Sequence, residues 1–456
     1  MAEAHLLSSR DALETRAERD ASGLTEVRMK KALAALALTT FGWTSSAAAA
    51  GPSFDDLVAN LKSPNVKTRL GAAEGLGKSR RPEAVTPLAA SLRAEPEAKV
   101  RLEVVRALRS LRNLAAVPAL VSAMSDADGE VREEALSSLV ELYTERERSG
   151  PVGRFLELFS DEGDEAPPQL FARVEPSVYA ALGQALRDER KDIRQQAAYA
   201  SGILSATSVV GALSGALQDV EPGVRGAAAT AIGKVGTQAD GQKLIPLLSD
   251  ESVSVRNRTL QAIGALRVRE AGPALREMFE QNRRREQGIK VLEALSRVAD
   301  PAQADLFREV IRDSDPERKR LAIEGLARVS DGSMLPAFKK DFQRERNDDL
   351  RQAYAFALVR LGDRDFLDTL VLGLPSAGNG KRVRGYLLEL GAPVLGELFP
   401  YLNDQDAEIR AQLCDIIAAI GDPSAVGVLE PLVNDPSPKV ADRANRAIER
   451  LRRSGA

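Results

Sequence analysis

Histidine, cysteine and tryptophan each occur once in this chain of 456 residues, and aromatic residues make up only 4% of it. The lone histidine, His5, stands at the extreme N-terminus. The body of the chain therefore has no imidazole for proton transfer, metal ligation or a Ser-His-Asp arrangement. One cysteine, Cys414, excludes an intramolecular disulfide and any cysteine-built zinc cluster. It lies in the apolar run Leu413-Cys414-Asp415-Ile416-Ile417 and reads as a buried structural thiol. So few rings leave little on which nucleic-acid bases stack, and a net charge of −3 is not that of a general nucleic-acid binder. No motif asks for a cofactor or a metal. Ala72-Ala73-Glu74-Gly75-Leu76-Gly77-Lys78-Ser79 imitates a phosphate loop with Ala in the first Gly position. A phosphate loop follows a strand and opens a helix, whereas this segment ends a predicted helix that begins near Pro64.

Long hydrophobic runs are also missing. Met29-Lys30-Lys31 opens a basic stretch, Ala32 to Phe41 is apolar, and Thr44 to Ala50 ends in small residues, with Ala48 and Ala50 fitting a cleavage site before Gly51. These are the three regions of a secretory signal peptide, and an apolar core of about ten residues is too short to span a bilayer. The expected order is a polar leader or upstream segment over 1–28, a signal peptide over 29–50, and one repeat domain over 51–456. The protein is then exported, periplasmic or secreted, without a stable membrane anchor. The alternative is a cytoplasmic protein whose first helix is Ala-rich.

What the chain has in quantity is a repeat. An apolar–basic pair recurs at Val66-Lys67, Val100-Arg101, Val131-Arg132, Ile193-Arg194, Val224-Arg225, Val255-Arg256, Leu350-Arg351 and Ile409-Arg410. The spacings are 34, 31, 62, 31, 31, 95 and 59, close to one, two or three steps of 31. A fixed period of this size marks a solenoid, in which each unit buries its apolar face against its neighbours. In residues 250–280, Val255, Thr259, Ala262, Ile263 and Leu266 share a helical face, with Asp250 or Ser252 as N-cap. Gly264 and Gly272-Pro273 then punctuate the end of one helix and the start of a second, so the unit is a helical hairpin. Pro87, Pro118, Pro246, Pro273, Pro336 and Pro431 recur near second-helix starts.

The Asp…Val-Arg…Ala…Leu-Gly spacing with its helix-opening proline resembles HEAT-like repeats, most closely the short bacterial kind first described in phycobilin (PBS) lyase subunits. The resemblance covers nearly all of residues 53–455. It implies an all-α solenoid, a right-handed superhelix of roughly 12–13 hairpins, and protein binding rather than catalysis. Bilin-lyase activity does not follow, because only the repeat matches. Deoxyhypusine hydroxylase, which is also HEAT-like, holds iron through His-Glu pairs that this chain lacks.

The basic column (Lys67, Arg101, Arg132, Arg194, Arg225, Arg256, Arg351, Arg410) has two readings. It is either a ribbon for an anionic polymer, or a brace in which each cation pairs with a turn carboxylate such as Asp126, Asp188, Asp219, Asp250, Asp349 or Asp404. Equal recurrence of both signs favours bracing. Function is then expected where the period fails. Over 144–175 an irregular insertion carries Phe155, Phe159, Asp161 and Glu162, candidate contacts for a basic partner; its acids lack the register of a calcium loop. Residues 281–300 carry Arg283, Arg284 and Arg285, and 281–360 holds seventeen basic against fourteen acidic residues. The third break is Gly373 to Gly391, with the loop Pro375 to Gly380. The leading expectation is a non-catalytic scaffold or adaptor that binds an unidentified protein, with second-helix surfaces and the insertion as contacts. The alternatives are an enzyme subunit of the lyase-subunit type and a binder of an anionic polymer.

Overall fold

A computed structural model describes residues 52–144 and 173–454. The expected leader and signal peptide lie outside them, with Ala48 and Ala50, as do Phe155, Phe159, Asp161 and Glu162. The chain divides into two compact units, Met1–Asp56 and Leu57–Ala456. In the first, Ser53 and Asp56 cap each other's backbone at the start of helix α1, Phe54–Asn60. The second unit holds the repeats.

The even-numbered helices that follow are the first helices of hairpins, and the odd-numbered ones are the second. They are α2 (Val66–Ser79), α3 (Val85–Ala94), α4 (Ala98–Ser110), α5 (Val117–Ala123), α6 (Gly129–Tyr143) and α7 (Pro176–Ala185). Then come α8 (Lys191–Ile203), α9 (Val210–Ala216), α10 (Pro222–Val235), α11 (Gln238–Gly241), α12 (Val253–Leu266) and α13 (Gly272–Asn282). The series continues with α14 (Glu286–Val298), α15 (Ala304–Val310), α16 (Pro316–Arg328), α17 (Leu335–Arg344), α18 (Asp348–Arg360) and α19 (Leu367–Gly373). It ends with α20 (Gly380–Leu390), α21 (Ala392–Leu398), α22 (Ala407–Ile420), α23 (Val426–Leu429) and α24 (Pro438–Ser454). Eleven complete hairpins are thus flanked by a lone second helix, α1, and a lone first helix, α24. The described residues form an all-α solenoid without strands.

Each first helix packs on the first helices before and after it, and most second helices pack on the first helix of the following repeat, whereas α19 packs mainly on its own first helix, α18. Small residues permit this close approach. A Cβ on Gly77 would lie 2.8 Å from the Ala107 Cα, and one on Gly233 would lie 2.9 Å from the Ala262 Cα. At Gly77, Gly233 and Gly264 the glycine therefore spaces helices rather than ending them, and Gly264 lies inside α12, facing Ala294 and Arg297. First helices end instead on a left-handed residue, such as Arg80, Arg267, Ala299 or Gly421. The cap of α12 is Ser252, which accepts from the Val255 N–H; Asp250 has another task. Pro118, Pro273 and Pro336 sit in the first turns of second helices. Pro246 and Pro431 lie deeper, and there the missing N–H leaves 3₁₀ turns, Gln242–Ser249 and Glu430–Asn434.

Adjacent repeats are clamped by a repeated ion pair. Arg225 donates through Nε and Nη2 to Asp250 at 2.7 and 2.9 Å, while its Nη1 reaches the carbonyls of Asp219 and Val220 in its own turn. Asp250 also accepts the Ser252 N–H. The same clamp joins Arg101 to Asp126, Arg194 to Asp219 and Arg410 to Asp435, each pair 25 residues apart. Arg132 joins Asp188 in the same way at a separation of 56. The difference, 56 − 25, is 31, so one period of extra chain lies inside a single hairpin, between α6 and α7. The gap of 62 is therefore an insertion within a unit, and no hairpin is missing there; α6 packs on α8 and α5 on α7 as neighbours do.

The described ladder departs from the expected one at five residues. Lys67 is exposed and Arg69 takes its position, paired with Glu95, because the register in the first repeat is shifted by two residues. Arg256 and Arg351 grip only carbonyl oxygens, since Gln281 and Ser376 stand where the next carboxylate belongs. Asp349 pairs with Arg382 instead, and the ladder carboxylate of that repeat is Glu345, which takes Lys319. The Asp404 carboxylate accepts the Asp406 N–H, and among the described residues no ladder arginine bonds it; Arg410 takes the Asp404 carbonyl instead.

Candidate binding site

The first helices α10, α12, α14, α16 and α20 surround a cavity of about 1050 Å³. The row curls enough to bring distant repeats together: Arg267 of α12 and Arg328 of α16 both reach Glu389 of α20, at 3.7 and 3.0 Å. Nine cations line the space. They are Lys234 from α10, Arg258 from α12 and Arg267 at its C-cap, Lys290 and Arg297 from α14, Arg320 and Arg328 from α16, and Lys381 and Arg382 from α20. Four acids, Glu293, Glu317, Glu324 and Glu389, oppose them, which leaves a local charge of 9 − 4, or +5, in a chain whose net charge is −3.

A buried network closes one side. Glu324 is 3% exposed and lies between Arg320 and Arg328 while accepting the Tyr386 hydroxyl at 2.5 Å. Burial pushes its carboxyl up, but the two guanidiniums and the phenol outweigh this and hold it below the usual range. Arg328 also donates to Ser296 and, twice through Nε, to Glu389. The Tyr386 ring stacks on Phe356 with centroids 4.4 Å apart, and burial with the neighbouring Glu324 charge raises its phenol. Desolvation lowers the pKa of Lys234. Asn257, nine-tenths buried, borders the cavity with its Oδ1 unpartnered.

Two of the three breaks in the period supply this wall: 281–300 gives Lys290, Glu293, Ala294 and Arg297, and Gly373 to Gly391 gives Gly378 to Glu389. Arg283 is tied to Glu280 and Glu309 and lies over Phe279, outside the cavity; Arg284 and Arg285 are exposed in the turn before α14. Arg320 and Arg328 fall inside the basic region 281–360, whereas Lys234, Arg258 and Arg267 carry no mark in the sequence. No shared helix position announces the set, which runs from the fifth residue of α16 to the thirteenth of α10. The Lys78 of the phosphate-loop imitation ends helix α2 and pairs with Glu74. Cys414 is buried, and desolvation pushes its thiol up to about 11. No cluster of metal-ligating side chains occurs among the described residues, and no helix among them is long and apolar enough to cross a membrane.

The family model described as HEAT repeats matches residues 85–150, 179–253 and 241–327. The chain is a HEAT-repeat protein. HEAT-repeat proteins generally act as interaction scaffolds, and the fold of stacked hairpins is theirs. No curated protein matches the chain. Among solved structures, the HEAT-repeat chain is similar to an engineered protein at 18% identity and a TM-score of 0.36, covering 88% of this chain and 98% of that one. The YibA protein of Escherichia coli matches at 18% identity and a TM-score of 0.39, over 60% of this chain and 91% of its own. The complex of CpcE and CpcF of phycocyanin lyase from a Nostoc species matches at 22% identity and a TM-score of 0.27, over 63% and 98%.

Proposed function

We propose that this HEAT-repeat protein is an exported, non-catalytic scaffold that holds a partner protein against the row of first helices. The supporting observation is the state of the polar groups around the cavity. Glu324 and Glu389 are fixed between guanidiniums, which keeps their oxygens occupied. The only thiol is a buried one with a raised pKa. Such a wall recognises charge and shape, and its engaged carboxylates do not form a poised acid–base pair. Export rests on the Met29 to Ala50 pattern alone.

Chemical crosslinking and affinity capture of the full chain from an envelope fraction test the scaffold reading. A specific partner is expected, reduced by Lys290→Glu with Lys381→Glu; capture of nothing above a mock control removes the reading. Mass spectrometry of the mature N-terminus is expected to begin at Gly51, and a chain beginning at Met1 or Ala2 ends the export proposal.

A further inference from the structure

We infer that the first-helix cavity binds an acidic, extended segment of the partner polypeptide, a conclusion that rests on the scaffold reading and names its ligand chemistry. The charge surplus is local and opposite in sign to the chain as a whole: +5 around the cavity against −3 overall. It does not depend on any cation lacking a partner. Within the lining, Glu324, Glu317 and Glu389 are matched by Arg320 and Arg328, and Glu293 by Arg297. Arg267 also reaches Glu389, while Lys290 and Arg382 pair with groups outside the lining, Glu286 and Asp349. Carboxylates entering the space meet a wall already prepared for them.

Asn257 separates a peptide from other anions. Its buried Oδ1 lacks a hydrogen-bond donor, and an unmet buried acceptor is costly. Peptide backbone supplies a row of N–H donors alongside carboxylates, whereas the inner phosphates of polyphosphate supply acceptors only. Nucleic acid is disfavoured because Tyr386 is the only aromatic residue of the lining, and its face is covered by Phe356. The volume of about 1050 Å³ stands at the upper end of ligand pockets, which run from about 300 to 1,000 Å³, and suits several residues of chain rather than a single ion.

Fluorescence anisotropy of the full chain with a labelled Glu/Gly peptide tests this. Binding is expected at low salt, and it should fall as the screening length shortens. Lys290→Glu with Lys381→Glu, both accessible at the wall, should weaken binding about tenfold or more. Lys62→Glu with Lys99→Glu, the same charge change on exposed residues of early repeats, should leave binding within about twofold. Asn257→Ala should weaken the peptide about fivefold while circular dichroism shows the helices intact. Absence of peptide binding, equal loss in the two lysine pairs, or equal affinity for polyphosphate or oligo-dT would each overturn the inference. If a protein partner is still captured through the cavity while the acidic peptide does not bind, the ligand chemistry falls and the scaffold reading stands.

Discussion

Removal of Arg225 isolates one rung of the inter-repeat ladder. Arg225→Ala deletes two charge-assisted bonds to Asp250, at 2.7 and 2.9 Å, and two bonds to turn carbonyls at 2.9 and 3.1 Å. It also strands Asp250, whose side chain is 9% exposed, with only the Ser252 N–H as partner. Charged hydrogen bonds contribute about 1.5–3 kcal/mol each, and breaking a fully buried pair costs about 3–5 kcal/mol; a rung at the edge of solvent therefore costs about 3 kcal/mol. Arg256 in the next repeat is the internal control, because it keeps only its two carbonyl bonds. Arg256→Ala is expected to cost about 1 kcal/mol. Urea unfolding followed by circular dichroism, fitted with nearest-neighbour coupling between repeats, measures both. The Arg225→Ala chain should lose coupling between the repeats of α10 and α12, and a cycle with Asp250→Ala should return about 1–2 kcal/mol of pair energy. Equal costs for the two arginines, or a pair energy near zero, would refute the claim that the carboxylate clamps the repeats.

The remaining predictions concern the network, the acid response and the insertion. Glu324→Ala leaves Arg320 and Arg328 facing a buried void and should cost about 3–5 kcal/mol, whereas Tyr386→Phe removes one bond to a charged oxygen and should cost about 1.5–3 kcal/mol. Calorimetric melting ranks them, and the reverse order would remove Glu324 from the centre of the network. Asp126, Asp188, Asp219, Asp250 and Asp435 are held below the ordinary aspartate value of 3.8; burial opposes this in all five and is the largest influence at Asp126 and Asp188, and the paired arginine is the main lowering cause throughout. Their stabilisation is complete above that value and is lost as pH falls through the depressed folded values, so helicity should collapse below about pH 4. Asp250→Asn should flatten that acid transition, and an unchanged profile would separate the ladder from acid unfolding. Deleting 146–172 with a short Gly-Ser closure should change stability by about 1 kcal/mol or less, because Arg132 and Asp188 already join the flanking repeats. Loss of folding would show that the insertion supports the stack.

Local pattern made much of this protein legible. The period, the hairpin, the caps and the arginine–aspartate brace are set by neighbours within about one turn or one repeat, and such neighbours are close in sequence. Arg101, Arg194, Arg225 and Arg410 could be assigned to bracing because each is followed 25 residues later by an acid, at Asp126, Asp219, Asp250 and Asp435. The same spacing exposes Lys67, which is followed 25 residues later by Leu92. The meaning of the glycines was less legible, since Gly264 reads as a stop until the neighbouring helix shows that its missing side chain makes room for Ala294 and Arg297.

By itself the sequence determined the all-α hairpin stack, because a 31-residue unit buries its apolar face only against copies of itself. Tertiary structure decided two further things. The position of the insertion needed the Arg132–Asp188 contact, since an extra segment one period long is indistinguishable from a lost repeat when only spacing is read. The cavity needed the curl of the stack, which sets Arg267 and Arg328 against Glu389 across 122 and 61 residues. Curvature accumulates from small rotations at every helix contact, and no window of sequence contains their sum.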